Sequence, residues 1–462
     1  VKAINGVGKS VASIASNSVV PVTPSNNSNG ADSGNITPTE PAMPESTDVI
    51  VLVNGKVENM GKATATTVNG QTVTTVAVDQ KKLEEKLIAE GQGAVVTIPV
   101  STNSAVVVGE LNGQMVKNME NKQAVVVIKT DQATYTLPAQ QINIDAISNQ
   151  IGKSAALQDI KIQIEIATST ADTVKVVESA AEQGTFTLVV SPVNFTVRGI
   201  YEDTTFEISK FNAYVERTIA IPDGVDPNKI TTGIVVDPDG TVRHVPTKVV
   251  HIEGKYYAII NSITNSTYTV VWHPIEFSDV ANHWAKNAAN DMGSRMVISG
   301  FDNGLFNPNQ AITRAEFAAI IVRGLGLKLE NGASGFSDVL ESDWYSSAIK
   351  AAYAYHLING FEDGTFRPND KITREQAMVI IDKAMTITNL KAELSVQSSD
   401  VVLQPYADAA DASIWARSSI ANCVQAGVVS GESSTELAPK NNMTRAEVAM
   451  IVERLLQKSK LI

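Results

Sequence analysis

A four-residue motif recurs three times in the C-terminal part of this chain, and an internal repeat restricts the fold more than any other feature. It reads Thr313-Arg314-Ala315-Glu316, then Thr373-Arg374-Glu375-Gln376, then Thr444-Arg445-Ala446-Glu447. Each copy has the form of a capping box. The Thr hydroxyl accepts from the backbone N–H three residues on, and the Glu or Gln reaches back to the Thr N–H. An apolar helical run follows each copy, beginning at Phe317, Met378 and Val448. The Arg falls at the first helical position, where free backbone donors and the positive end of the helix dipole favour an anion.

The spacing extends the repeat to about 60 residues. Trp284, Trp344 and Trp415 each precede a glycine by sixteen residues, at Gly300, Gly360 and Gly431. Each glycine precedes the Thr of the box by thirteen. Upstream of each Trp stands an aromatic-x-Asp triplet, ending at Asp279, Asp338 and Asp408. The Trp is expected to open a first helix, the glycine to stop it with a left-handed cap, and the Asp to cap a turn. A loop, Phe301-Asp302-Asn303-Gly304-Leu305-Phe306, returns as Phe361-Glu362-Asp363-Gly364-Thr365-Phe366. It lacks the ligand pattern of a calcium loop and reads as a polar turn. A two-helix unit this small cannot bury its apolar face alone, so the three are expected to pack together.

These motifs resemble the S-layer homology (SLH) family over residues 277–457. The resemblance implies repeats at 277–330, 336–390 and 406–462, with a spacer at 391–405. It implies an all-α pseudo-threefold trimer around a central three-helix bundle. It implies binding of a secondary cell-wall polymer of a Gram-positive-type bacterium, through pyruvylated N-acetylmannosamine, in grooves between repeats. By position, Arg314, Arg374 and Arg445 match the family's carboxylate-binding arginine. Asp279, Asp338, Asp408, Trp284, Trp344, Trp415, Gly300, Gly360 and Gly431 match residues that shape or line the grooves. A guanidinium can grip a pyruvate ketal carboxylate with two parallel hydrogen bonds. An Asp can accept from sugar hydroxyls.

Plainer roles stand beside these. Capping accounts for the Thr and Glu or Gln of each box, core packing serves the tryptophans equally well, and surface ion pairing is the alternative for each Arg. Two departures bear on the grooves. Glu375 brings a negative charge beside one pocket. In the third copy Gly431-Glu432-Ser433-Ser434-Thr435-Glu436-Leu437 replaces the aromatic loop, so a groove built with it is expected to work less well.

Upstream, Val1 to about residue 20 resembles the end of a fibronectin type III module whose body would lie before Val1, and residues 21–48 read as a Pro/Ser/Asn-rich linker. Residues 49–274 carry β-branched runs such as Ala124-Val125-Val126-Val127-Ile128, and Lys161 to Ile166 alternates apolar and polar. Two sandwich-like β-rich modules are expected, 49–160 and 161–274, with Asp237-Pro238-Asp239-Gly240 as a turn and Asp79 capping a helix that carries Leu83 and Leu87. His244 and His251 read as partly exposed strand residues, and Glu84-Glu85 and Glu202-Asp203 as solvated faces. His283 and His356 read as surface or capping residues.

A formal net charge of −12 argues against nucleic acid. No apolar run is long enough to span a bilayer. The single cysteine, Cys423, reads as a buried helix residue rather than a metal ligand. No metal, cofactor or catalytic constellation is expected. The reading is a non-enzymatic anchor at the cell surface, with other S-layer or surface proteins as further partners. The alternatives are the anchoring piece of an extracellular carbohydrate-active enzyme and a lattice-forming S-layer subunit.

Overall fold

The computed structural model describes residues 4–5, 8–9, 46–151 and 155–462. Two compact units divide the chain, 1–43 and 44–462. In the first, Ile4–Asn5 pairs antiparallel with Gly8–Lys9. The expected fibronectin-like tail and linker otherwise lie outside the described residues, except that a strand already begins at Ser46.

The second unit is β-rich to Trp272 and helical beyond it. Seventeen strands join one sheet. From Val242–Val245 the pairing runs through Thr232–Val236, Thr267–Trp272, Val193–Tyr201 and Lys161–Thr168 to Val106–Asn112. It continues round the far side and returns through Lys210–Ala220 and Lys255–Thr264 to Thr247–Ile252. The two end strands are consecutive in the chain, joined at Pro246, so the sheet coils until it nearly closes. Asn54-Gly55 and Asn69-Gly70 hold positive φ, making the tight turns that suit the twist of paired strands.

The boundary expected near residue 160 is not a break in this sheet. Lys161–Thr168 pairs with Val106–Asn112 on one side and Val193–Tyr201 on the other. The main core cluster runs across that boundary, from Val51 to Val270, with two smaller clusters beside it. Among the described residues four α-helices accompany the sheet: α1 (Gln80–Glu90), α2 (Gly113–Asn121), α3 (Ile144–Ile151) and α4 (Ala171–Gly184). Asp79 caps α1, accepting from the Lys82 N–H at 3.0 Å, and Leu83 and Leu87 are buried as expected. His251 is exposed, but His244 is buried, with Nδ1 2.9 Å from Thr232 Oγ1. Its strand is covered by the helical region, which no strand pattern announces.

The helical region comprises α5 (Lys286–Ser294), α6 (Arg314–Gly324), α7 (Ser346–Ala354), α8 (Arg374–Ile387), α9 (Ser399–Leu403), α10 (Ile414–Gln425) and α11 (Arg445–Lys458). All three capping boxes form, at the starts of α6, α8 and α11. Each of these helices packs against the first helix of the next repeat: α6 with α7, α8 with α10, and α11 with α5. That rotation closes the trimer and shares one core among the repeats. Between the boxes, backbone bonds run in a ring. Ile312 N–H donates to Met443, Met443 to Ile372, and Ile372 back to Ile312, at 2.9 to 3.1 Å. Cys423 is buried in α10, its Sγ 3.3 Å from the Met378 carbonyl oxygen, and burial pushes its thiol pKa well up.

The β-rich region is clamped onto the first repeat. Tyr214 Oη donates to the Leu325 carbonyl at 2.7 Å, Arg243 to Gly326 at 2.6 Å, and Arg295 to Thr247 at 3.1 Å. Gly326 has φ +63, and a Cβ there would stand 2.9 Å from the His244 carbonyl oxygen. Only glycine fits that contact. Among the described residues no helix is long and apolar enough to cross a membrane.

Candidate functional site

The three arginines lie in the seams between repeats. Their backbone N–H groups do not face solvent. Arg314, Arg374 and Arg445 donate to the carbonyls of Asp370, Asn441 and Gln310, at 2.9, 2.9 and 3.0 Å. The next N–H in each helix donates to the carbonyl of Pro368, Pro439 or Pro308. The third is taken by the box Thr. The expected contribution of helix-start donors to an anion site is therefore corrected: the neighbouring repeat consumes them.

The guanidinium groups cross the seams as well. Each Nε–H donates to a carbonyl of the neighbouring loop: Arg314 to Phe366, Arg374 to Leu437, Arg445 to Phe306, at 2.7 to 2.9 Å. The residues are 8%, 3% and 5% exposed. The far nitrogens differ among the three. Arg445 Nη2 donates to the Ser299 carbonyl at 2.7 Å, and its plane stacks on Phe301 and Phe306. Its Nη1 has no hydrogen-bond partner among the described residues. Arg314 Nη1 donates to Gln376 Oε1 at 3.3 Å, and its plane stacks on Phe361 and Phe366. Arg374 Nη1 pairs with Glu447, and Nη2 donates to the Ser430 carbonyl at 3.1 Å. Burial lowers the pKa of Arg314 and of Arg445; neighbouring carboxylates oppose it, Asp370 and Asp338 for Arg314, Glu316 and Asp279 for Arg445. Arginine stays charged under either influence.

Two of the seams open as cavities. One, of about 210 Å³, lies over Arg445 and is bounded by the 298–301 loop, one face of α6 and Trp344. The other, of about 560 Å³, lies over Arg374 and is bounded by the 429–432 loop, one face of α11 and Trp284. Each groove thus draws its Arg, its loop and helix, and its Trp from three different repeats. The groove with the divergent third loop, expected to be impaired, is the larger of these two cavities. Trp284, Trp344 and Trp415 are 62%, 64% and 59% exposed, so they are not core residues.

The aspartates have another job. Asp279 accepts from the N–H groups of Phe306 and Asn307, Asp338 from Phe366 and Arg367, and Asp408 from Leu437 and Ala438, all at 2.7 to 2.9 Å. Asn307, Arg367 and Ala438 hold left-handed φ of 54°, 57° and 48°. The two oxygens of each carboxylate thus hold the left-handed residue before a proline and its predecessor, in place of the expected turn cap. The glycines are also corrected. None of Gly300, Gly360 and Gly431 is left-handed; that conformation falls four residues earlier, at Met296, His356 and Gly427. A Cβ on Gly300 or Gly360 would meet the ring of Phe277 or Phe336 within 2.7 Å, and one on Gly431 the Glu436 carbonyl at 2.3 Å. Glu375 does not charge a pocket. It accepts from the Ser413 N–H and hydroxyl and pairs with Lys440 at 2.7 Å.

One feature of the grooves escaped the sequence reading. Arg323 and Arg454 line the two cavities, and Lys383 stands at the matching position of α8. All three lie nine residues after the motif arginine, so a basic residue at a fixed offset in each copy was a legible signal.

Three repeats thus close into a ring, with a buried arginine in each seam and an exposed tryptophan at the edge of both cavities. Residues 276–318, 335–378 and 405–449 match the S-layer homology domain, and the chain carries three domains of that family. Domains of this family bind cell-wall polymers. Among curated relatives, the chain is 31% identical over 335 residues to amylopullulanase of Thermoanaerobacterium thermosulfurigenes, covering 72% of this chain and 16% of that protein. That match is longer than the helical region, so it takes in β-rich residues too. It is 46% identical over 103 residues to endo-1,4-beta-xylanase A of Thermoanaerobacterium saccharolyticum, covering 22% of this chain and 9% of that protein. It is 32% identical over 185 residues to the surface-layer 125 kDa protein of Lysinibacillus sphaericus, covering 39% and 15%. The matched stretches span less than a fifth of these relatives. The family and its surface-layer relatives place the chain outside the cell, at its surface.

Proposed function

We propose that the three repeats hold the chain to a secondary cell-wall polymer by gripping pyruvylated N-acetylmannosamine, and that the chain performs no catalytic step itself. One observation carries this reading: Arg445 is buried along its stem, has one nitrogen without a protein partner, and borders a cavity edged by an exposed tryptophan. A ketal carboxylate supplies the missing acceptor, and the indole supplies a face for the sugar ring. The same geometry serves whether the anchored protein is an S-layer subunit or, as the names of two relatives favour, an extracellular carbohydrate-active enzyme whose catalytic part lies elsewhere. The β-rich region then spaces its cargo from the wall.

Calorimetry of the chain with wall polymer tests this. A charge-assisted bond contributes about 1.5–3 kcal/mol, or roughly 10- to 100-fold in affinity. Arg314→Ala with Arg445→Ala is expected to weaken binding by at least that factor, and chemical removal of the pyruvyl groups to do the same to the wild type. Undiminished affinity for depyruvylated polymer sinks the carboxylate reading.

A further inference from the structure

The joint between the coiled sheet and the first repeat gathers positive charge that acidic side chains do not fully answer. Arg243 lies there, 9% exposed. It donates to the Gly326 carbonyl at 2.6 Å and to Thr264 Oγ1 at 3.2 Å, which uses two of its five N–H donors. Its Nε finds no hydrogen-bond partner, and no carboxylate is among its partners in the described residues. The same threonine links it to a second buried cation, for the Thr264 carbonyl accepts from Arg217 Nη2 at 2.7 Å. A charge taken out of water is normally met by an opposite one.

Beside Arg243 a cavity of about 40 Å³ straddles the joint. The sheet supplies Ser209, Lys210, Asp237, Arg243 and Thr264 to its wall, and the segment after α6 supplies Lys328. Three cations thus face one carboxylate. Neither lysine is fully committed. Lys328 Nζ stands 3.8 Å from Asp237, beyond hydrogen-bond reach, and Lys210 pairs at 2.8 Å with Glu330, which is not part of the wall. Both lysine side chains are about half exposed, so the cavity has a route to solvent. A buried water needs about 10–15 Å³ of such space, so the cavity has room for about three waters or for one small tetrahedral ion in their place. A sugar ring does not fit.

We propose that this cavity binds one free tetrahedral oxyanion, inorganic phosphate or sulfate, and that the ion staples the coiled sheet to the first repeat. Arg243 supplies the fork of N–H donors that matches such an ion. Lys210 closes on it from the sheet and Lys328 from the repeat, so its charge holds the two sides of the joint together. The hydroxyls of Ser209 and Thr264 are the neutral donors. Asp237 opposes the ion and limits its affinity. The site is separate from the seam grooves and shares no residue with their walls.

The test uses the full chain and inorganic phosphate, with sulfate as the second probe. Chloride at matched ionic strength controls for screening and for general salt effects on stability. Titration calorimetry should find a saturable phosphate site, one per chain, that survives Arg314→Ala with Arg445→Ala. Lys328→Gln removes a half-exposed cation with one loose ion pair, so the fold should persist while phosphate binds about tenfold more weakly. Asp237→Asn removes the opposing carboxylate and should tighten binding by about the same factor. Phosphate should also raise the denaturation midpoint above the chloride control, and do so less in Lys328→Gln. Absence of saturable binding leaves the cavity to water and overturns the proposal. So does an affinity indifferent to both Lys328→Gln and Asp237→Asn. Loss of the site in the Arg314→Ala, Arg445→Ala variant moves the ion to the seams and overturns it as well.

Discussion

Arg217 in the β-rich region and Arg445 in the helical region are both buried arginines beside aromatic rings, and only one of them borders a site. Arg217 is fully buried in the coiled sheet. Its terminal nitrogens donate to the carbonyls of Val215, Ser262 and Thr264, to Asn265 Oδ1 and to Tyr135 Oη. Tyr135, Phe195, Phe211 and Tyr268 surround it at 4.8 to 5.9 Å. No carboxylate is among these partners, and the cavity that Thr264 and Asn265 help to line, of about 40 Å³, does not include Arg217. The guanidinium here acts as an internal cross-link for strands far apart in sequence. Arg445 has the same stem burial and the same stacking, but one terminal nitrogen remains without a partner and faces 210 Å³ of open groove. Arg217 Nε is also without a partner, but it is sealed in the core; open space beside the unanswered donor, rather than burial or aromatic contact, singles out Arg445 as the candidate.

The comparison breaks first on stability. Arg217→Met strips donors from several buried oxygens at once, and is expected to cost about 3–5 kcal/mol. Chemical denaturation of the β-rich region should show that loss, with polymer binding at low denaturant unchanged. Arg445→Met is expected to do the reverse, weakening binding while costing less stability. Equal stability losses for the two would erase the distinction.

A second expectation concerns pH. His244 is buried beside Arg243 and Arg295; burial and then those cations push its pKa well below 6.5. The folded chain therefore holds it neutral, while the unfolded chain protonates it near 6.5. Stability is fully present above pH 6.5 and falls as the pH drops below it, by about 1.4 kcal/mol per unit until the folded pKa is reached. Denaturation midpoints of the wild type and of His244→Gln measured between pH 7.5 and 5 should diverge in slope. Parallel slopes would mean that the joint tolerates a charged imidazole. The grooves contain no such buried histidine, so polymer affinity should not follow the same curve.

These contrasts also mark what could be read from the chain alone. The capping boxes were legible because Thr, Arg and Glu lie within four residues, and all three form as written. That the three repeats pack together followed from the small size of each unit; the threefold closure was implied only by the family resemblance. The aspartate role was not legible, because Asp279, Asp338 and Asp408 act on residues 27 to 30 positions away. The seam glycines misled for a related reason: at Gly300 and Gly360 the nearest atom that excludes a Cβ belongs to an aromatic ring more than twenty residues upstream, and at Gly431 to carbonyls of the loop that follows. In the β-rich region the strands were visible but their partners were not. The Tyr135 hydroxyl meets Asn265 across 130 positions at 2.5 Å, a pairing no local pattern encodes. The Asn-Gly turns at 54–55 and 69–70 were the one long-standing hairpin signal left unused.

The smallest expected effect falls on the tryptophans, and it sharpens the comparison from the other side. Trp344 is 64% exposed at the edge of the Arg445 groove, so truncating it removes little packing from the fold. Tyr268, an aromatic of the β-rich region, is fully buried against Phe195 at 5.8 Å and beside Arg217. Trp344→Ala should leave the denaturation midpoint within about 0.5 kcal/mol of wild type. It should weaken polymer binding by roughly 1 kcal/mol, the scale of one aromatic face against a sugar ring. Tyr268→Ala should instead cost about 3–5 kcal/mol of stability, the usual penalty for emptying an aromatic site in a core. A Trp344 variant that loses stability but keeps its affinity would return the indole to a packing role and leave the guanidinium as the groove's sole grip.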